Sequence, residues 1–455
     1  MRSTQPRRAR IVARRRPTWS GATSLGDVEA PIVSELFSIE RLEQHAESLA
    51  ASQKVTGRPH RGRAIQPRLA ENGRILLETY RVLADAIKEE HSITPAAEWL
   101  VDNFHVIDEQ LREIRDDLPV DFYRELPKLA EGHLAGYPRA LGLTWAYVAH
   151  TDSRFDPESL CRMVCAYQRI EPLTLGELWA IAITLRIVLI ENLRRLAELI
   201  VPGRAARLEA DALADSLLGI GDDSPEAAMA SLRRLNDATL PAAGRVQLIQ
   251  RLRDQDPAIT PALGWLETWL AAHGTTAEEF VRQQHQRQAA TNVTVRNVIT
   301  SMRLISWFDW AEFVESVSQV DVVLRSNESF GQMDFATRDQ YRHAIEEIAR
   351  GCGLGEVEVA RRAVAMSTAG DTLGGEDRDR LLDPGYYLIS DGRPVLERAL
   401  YARVGWGRRL LRAYAASRSG YLVSLALVTV LVVAIPLLLA VAGHAGWPGL
   451  AIMAV

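Results

Sequence analysis

PLTLGELWAIAITLRIVLIENLRRLA, residues Pro172 to Ala197, decides the fold. Thr174 followed three residues later by Glu177 is a capping-box signal, and it opens a helix that the spacing carries from about Leu175 to Ile200. Its core, LWAIAITLRIVLI, is apolar on every face but contains Arg186, and Glu177, Glu191, Asn192, Arg194 and Arg195 stand close by. Thirteen residues at about 1.5 Å each cover roughly 20 Å, too little for a bilayer core of about 30 Å. A helix apolar all round that cannot span a membrane has to be buried in protein, so the chain is built around a central helix.

Working outward, helical periodicity dominates from Val33 to Met366. Thr94 and Pro95 sit at cap and first-turn positions, and Leu100, Phe104, Ile107, Leu111 and Ile114 recur at spacings of four and three until Pro119 stops the helix. Leu69, Leu76, Tyr80, Leu83 and Ile87 repeat the stripe upstream, which predicts an antiparallel helix pair joined near Ser92. Further helices are predicted at about 205–217, 225–236, 243–254, 259–272, 276–305, 310–325, 335–350 and 356–368. A strand signal appears in DPGYYLISDGRPVLE (Asp383–Glu397), where Asp391-Gly392 predicts a small β-hairpin near 386–396.

The run YLVSLALVTVLVVAIPLLLAVA (Tyr421–Ala442) is uncharged over 22 residues and reads as a transmembrane helix kinked at Pro436. Arg403, Arg408, Arg409, Arg412 and Arg418 precede it and nothing after it is charged, so the positive-inside rule predicts a cytoplasmic N-terminal side. The apolar run that includes Trp447 and Leu450–Val455 reads as a second span cut short, as in a fragment of a longer protein. The expected organisation is therefore a basic disordered tail (1–26), an α-helical cytoplasmic domain (27–370), a hairpin and basic juxtamembrane segment (371–420), a transmembrane helix (421–442) and the start of a second span (447–455). Thr56–Gly62 and Gly370–Gly375 read as linkers. The fold class is all-α: a multi-helix array or bundle with one hairpin, followed by a transmembrane helix.

The 455 residues carry a net charge of −5, with basic ends and an acidic middle, so nucleic acid is not an expected partner, whereas the Tyr421–Ala442 run makes the lipid bilayer one. Seven arginines and no acid in the first 26 residues, with no apolar run after them, exclude a secretory signal. Cys161, Cys165 and Cys352 are too few for a disulfide framework; the first two read as small core residues.

Catalytic constellations are sought and not found: no Walker loop, no Gly-x-Ser-x-Gly elbow, no His-Glu-x-x-His, no Cys-x-x-Cys. Gly351, Gly353 and Gly355 read as a helix stop and restart. Asp116, Asp117 and Asp121 are split by Pro119. The Asp-x-Asp pairs Asp254–Asp256 and Asp377–Asp379 follow no apolar strand and read as solvated turns. The densest polar and aromatic cluster is Trp99, Asn103, His105, Asp108 and Glu109, with His105 and Glu109 one turn apart on one helix face. It is the candidate ligand site; no catalytic, cofactor-binding or metal-binding residue is assigned.

PAAEWLVDNFHVIDEQLREIRDDLP (Pro95–Pro119), FYRELPKLA (Phe122–Ala130), YVAHTDSRFD (Tyr147–Asp156), the central helix, MDFATRDQYRHAIEEIAR (Met333–Arg350) and DPGYYLI (Asp383–Ile389) together resemble the N-terminal region of bacterial cyclic β-1,2-glucan synthases. The resemblance runs from about Leu25 to the apolar segment. It implies a parent enzyme of the inner membrane that polymerises glucose from UDP-glucose, with a divalent metal, in a transferase domain downstream. The Gln-x-x-Arg-Trp signature of that domain is absent, since none of the ten tryptophans follows an arginine. The resemblance thus implies an anchoring, supporting or regulatory region without a catalytic centre, partnered by the downstream transferase of the same polypeptide or its separate product. The alternatives from other classes are a free-standing membrane-tethered helical scaffold and a helical enzyme using the Trp99–Gln110 cluster.

Overall fold

The structure is a computed structural model that describes residues 29–56, 62–220, 224–233, 241–253, 261–369, 378–403, 407, 414 and 420–442. Its chain divides into two compact units, Met1–Ser318 and Gln319–Val455.

In the first unit the helices are α1 (Ile39–Ser52), α2 (Gln66–Lys88), α3 (Pro95–Asp102), α4 (Phe104–Asp117), α5 (Val120–Glu125), α6 (Arg139–His150), α7 (Pro157–Ile170), α8 (Leu175–Leu217), α9 (Pro225–Arg233), α10 (Ala242–Arg253), α11 (Pro261–Ala272), α12 (Ala277–Trp307) and α13 (Trp310–Val317). The central helix α8 begins at the expected capping box: Thr174 Oγ1 accepts from Glu177 N and Glu177 accepts from Thr174 N at 3.0 Å. Its first half is buried on all sides by α2, α4, α6 and α12. Burial of that many apolar side chains is the dominant favourable term in such a fold. Where periodicity suggested two helices divided near Pro202, α8 continues through it to Leu217. Proline removes one backbone donor but does not stop a helix that packing holds on both sides. The second half carries a separate small core, with Ala210, Ala214 and Leu217 against Leu248, Ile249 and Leu266.

In the other direction, the single helix expected over 95–118 is broken at Asn103. Its side chain donates to Trp99 O at 2.8 Å and accepts from Arg303 of α12, a local competition with the helix ladder that asparagine favours.

In the second unit follow α14 (Gln319–Leu324), α15 (Glu328–Gln332), α16 (Phe335–Cys352), α17 (Glu356–Ala369), α18 (Arg378–Leu381), α19 (Pro384–Ile389), α20 (Arg393–Ala399) and α21 (Gly420–Ala442). Gly353 caps α16 in the left-handed region at φ 73°, its N–H bonded to Ala349 O, before α17 restarts.

Two expectations about this unit are corrected. The hairpin near 386–396 is two short helices, α19 and α20, and no strand exists among the described residues. The Asp391-Gly392 turn joins helices because Asp383 caps Pro384–Ile389, accepting from Gly385 N at 2.9 Å, and Pro394 opens α20 from a first-turn position. Asp383 also accepts from Tyr341 Oη of α16 at 2.9 Å. Gly385 lies so close to this hydroxyl that a Cβ there would collide with Tyr341 Oη and Cζ. Gly385→Ala is therefore expected to destabilise this unit by about 1–3 kcal/mol, read from the midpoint of urea unfolding, and an unchanged midpoint would show that α19 shifts freely.

The transmembrane helix is also overturned: among the described residues no helix is long and apolar enough to cross a membrane. The positive-inside reading thereby loses the span it would orient. Of its arginines, Arg403 is exposed, its N–H bonded to Gly351 O at 2.9 Å. Arg408, Arg409, Arg412 and Arg418 lie outside the described residues, as do the tail 1–26, most of both linkers, Asp254–Asp256, Asp377 and 447–455.

Candidate functional site

The polar cluster singled out above is divided by the fold. Asn103 is buried and holds the α3–α4 break, and Trp99 is half-buried under the Arg296 guanidinium, 5.9 Å from the ring centre. His105 and Glu109 face solvent, and Asp108 pairs with Arg112 along the outside of α4. The buried polar residue of this helix is Gln110. It donates to Ser306 Oγ at 2.9 Å and accepts from Arg186 Nε at 3.1 Å, so the arginine inside the apolar run of α8 is held by α4 and by Glu113 at 3.2 Å.

A better formed site lies one turn further along α8. The segment Glu191–Arg194–Arg195 puts a carboxylate and two guanidiniums on the side of α8 that meets α2 and the segment Glu29–Ile32. Glu191 accepts from Arg68 Nε at 2.9 Å and Nη2 at 2.5 Å, from Asn72 at 2.9 Å, from Arg194 at 2.9 Å and from Arg195 Nε at 2.8 Å. Glu29 bridges the same three arginines from the outside. Burial pushes the Glu191 carboxyl up, but the bonds from Arg68, the charges of Arg194 and Arg68 and the Asn72 amide outweigh it and hold the group far below the usual carboxylate range. Next along α8, Asn192 fastens Ile32 through its backbone, accepting from N at 2.6 Å, and donates to Ser153 Oγ at 2.8 Å.

This network walls a cavity of about 250 Å³, completed by Trp145 and Leu141 of α6 and by His133, Leu134 and Tyr137 of the preceding loop. Arg195 lies over the Trp145 ring at 5.0 Å, a cation–π contact that orders both. Arg68, Arg194 and Arg195 are matched by Glu29, Glu191 and Glu198, so every charge of the network is tied to a neighbour, and Arg63 adds one positive charge to the cavity wall. Glu191 is ionised throughout the neutral range and so cannot donate a proton; its chemistry is to pin.

Near it the turn after α6 carries Asp152 and Ser153 at φ 50° and 60°, a region L-residues rarely adopt. Thr294 and Asn297 of α12 hold the Asp152 carboxylate at 2.6 and 3.0 Å, and Ser301 donates to Ser153 O at 2.8 Å. Burial pushes the Asp152 carboxyl up and these bonds pull it back. Cys161 and Cys165 are half-buried and pack against the edge of the main core rather than inside it. The hydrogen bond between them pulls Cys161 down to about 6 and pushes Cys165 up. Among the described residues no group of His, Cys, Asp or Glu is placed to hold a metal.

No family model matches the chain. Over 381 residues, 82% of its length, it is 37% identical to the cyclic β-(1,2)-glucan synthase NdvB of Rhizobium meliloti (strain 1021). The chain is homologous to part of a cyclic β-1,2-glucan synthase. It spans 13% of that relative's length, so the resemblance carried by Pro95–Pro119 and its companion segments is borne out as kinship, while the relative's activity belongs to a far longer polypeptide.

The sequence search passed over the Glu191 network because its residues were read as the polar ends of a buried helix. The available signal was the spacing: Glu191, Arg194 and Arg195 at i, i+3 and i+4, directly after an apolar run, share one helix face within ion-pairing reach.

Proposed function

We propose that this chain is the N-terminal helical supporting region of a cyclic β-1,2-glucan synthase, which bears on the transferase portion and contains no catalytic centre of its own. The observation that carries the reading is the 37% identity over 82% of the chain. The Glu191 network supports it, since buried charges that satisfy one another and lock the N-terminal segment onto a 43-residue helix are the construction of a rigid support. In this reading UDP-glucose and its divalent metal are bound by the downstream transferase, which is also the region's main partner. Association with the bacterial inner membrane belongs to the same proposal. The large apolar side chains between Leu425 and Ile435, 47–65% exposed, support it because such a row needs lipid or protein cover.

Two measurements test this. The purified chain alone should incorporate no glucose from UDP-glucose into polymer, and incorporation would end the claim that catalysis lies elsewhere. Deleting residues 29–318 from the corresponding full-length synthase should abolish cyclic glucan production in membranes while the remainder is still expressed, and undiminished production would remove the supporting role.

A further inference from the structure

Further along α8, Arg204 and Arg207 stand three residues apart, hence on one face of the helix. Among the described residues neither makes an ion pair or a hydrogen bond, and Arg204 Nε is buried without a partner. This is unlike the rest of the helix, where Arg186, Arg194 and Arg195 each meet carboxylates. The neighbouring acid, Asp211, is engaged by Gln247 at 2.9 Å and by Arg251 at 3.6 Å. Burial, and then the charge of Arg204, push the Arg207 guanidinium below its ordinary value. The Asp211 charge offsets part of this at Arg207 but is shared with Arg251, so two half-buried cations one turn apart that make no ion pair still cost stability, and an anion would relieve both.

Arg207 lines a cavity of about 670 Å³ between the second half of α8, α10 and α12, with the start of α3 at its rim. The remaining lining adds the Arg287 guanidinium, the His285 imidazole, apolar side chains such as Leu199 and Val246, and the carboxamides of Gln247, Gln250, Gln284, Gln288 and Asn292, of which Gln247, Gln250 and Asn292 also bond Asp211, His285 and Ala96 N. The cavity's carboxylate, Glu198, is already neutralised by Arg194 at 2.7 Å. Carboxamides offer donors and acceptors side by side, the complement of a hydroxyl. Guanidinium offers a planar fork suited to a phosphate. A space of this size exceeds an inorganic ion and falls in the range of small-molecule sites.

We propose that this cavity binds a phosphorylated polyol of sugar-phosphate size, its phosphate against Arg207 with Arg204 behind it and its hydroxyls on the carboxamides of α10 and α12. The site is independent of the supporting role: it concerns a ligand of this unit, whatever the unit supports.

The test is calorimetric titration of the full chain in detergent with glucose 6-phosphate, free glucose and inorganic phosphate. Glucose 6-phosphate should bind at least about tenfold more tightly than either fragment, and Arg207→Ala should weaken it about tenfold or more. Failure to bind, or equal binding by Arg207→Ala, overturns the site. Free glucose binding as tightly as glucose 6-phosphate overturns the phosphate assignment, and inorganic phosphate binding as tightly overturns the polyol assignment. Thermal melting separates a ligand residue from a structural one. Glucose 6-phosphate should raise the wild-type midpoint by mass action. Unliganded Arg207→Ala should melt at or above the unliganded wild type, because it removes the repulsion, and should lose the ligand-induced rise. A lower midpoint for the unliganded variant would make Arg207 structural and overturn the proposal. The wild-type melt alone decides if the variant fails to fold, since no rise with glucose 6-phosphate sinks the site.

Discussion

Glu191→Ala is expected to cost the first unit about 3–5 kcal/mol, because it leaves Arg68, Arg194 and Arg195 clustered with their buried acceptor gone. At roughly 2 °C per kcal/mol for a chain of this size, the melting midpoint should fall by about 6–10 °C. The size of the loss follows from position. The Glu191 side chain is 4% exposed and accepts from α2 and from its own helix, so water cannot replace the lost bonds as it would at the surface. The acid dependence follows from the depressed folded-state pKa. The unfolded chain protonates Glu191 near its ordinary 4.5, whereas the folded one does so only far below. Its contribution is therefore fully present above about pH 4.5 and is lost as pH falls toward the folded value, where the unfolded state binds the extra proton. Glu191→Gln keeps the shape and removes this linkage, so its stability should fall less steeply than the wild type's between pH 4.5 and 3. Parallel slopes for wild type and Glu191→Gln in urea titrations at stepped pH would show that other carboxylates carry the acid response.

The helices were legible in the sequence wherever period and cap agreed. Thr174–Glu177, Thr94–Pro95 and the Gly353 stop each stand where spacing put them, since a cap is a local bond between residues three or four apart. What failed was decided by distant partners. Asn103 breaks a periodic helix because Arg303, 200 residues away, reaches it. Asp391-Gly392 carries a hairpin signal but is flanked by Asp383 and Pro394, whose capping roles act at once with the docking of Tyr341. The convergent charges were the least legible feature for the same reason. A polar cluster dense in sequence, Trp99 to Glu109, is spread by the helix over several faces, while the charges that do converge come from Glu29, Arg68 and Glu191.

In the second unit the largest effect is expected from Asp321→Ala. Asp321 is fully buried and takes a two-point bond from Arg342, Nε to Oδ1 at 2.9 Å and Nη2 to Oδ2 at 2.6 Å. The guanidinium is 2% exposed, with Asp339 at 3.7 Å and the Phe335 ring at 5.3 Å. Removing the aspartate strips a buried cation of its main acceptor, and the loss should again be about 3–5 kcal/mol. The cost lies in the stranded charge rather than in the missing attraction, which the double substitution Asp321→Leu with Arg342→Met isolates. With neither charge left to desolvate, it should recover most of the loss, to within about 1 kcal/mol of the wild type. Hydrogen exchange of peptides from α16 is the direct measure, because amides protected by this unit's opening report its local free energy. Protection in α16 should collapse in Asp321→Ala and return in the double variant. If the double variant exchanges as fast as the single one, the pair is needed for shape and the argument from a stranded charge is wrong.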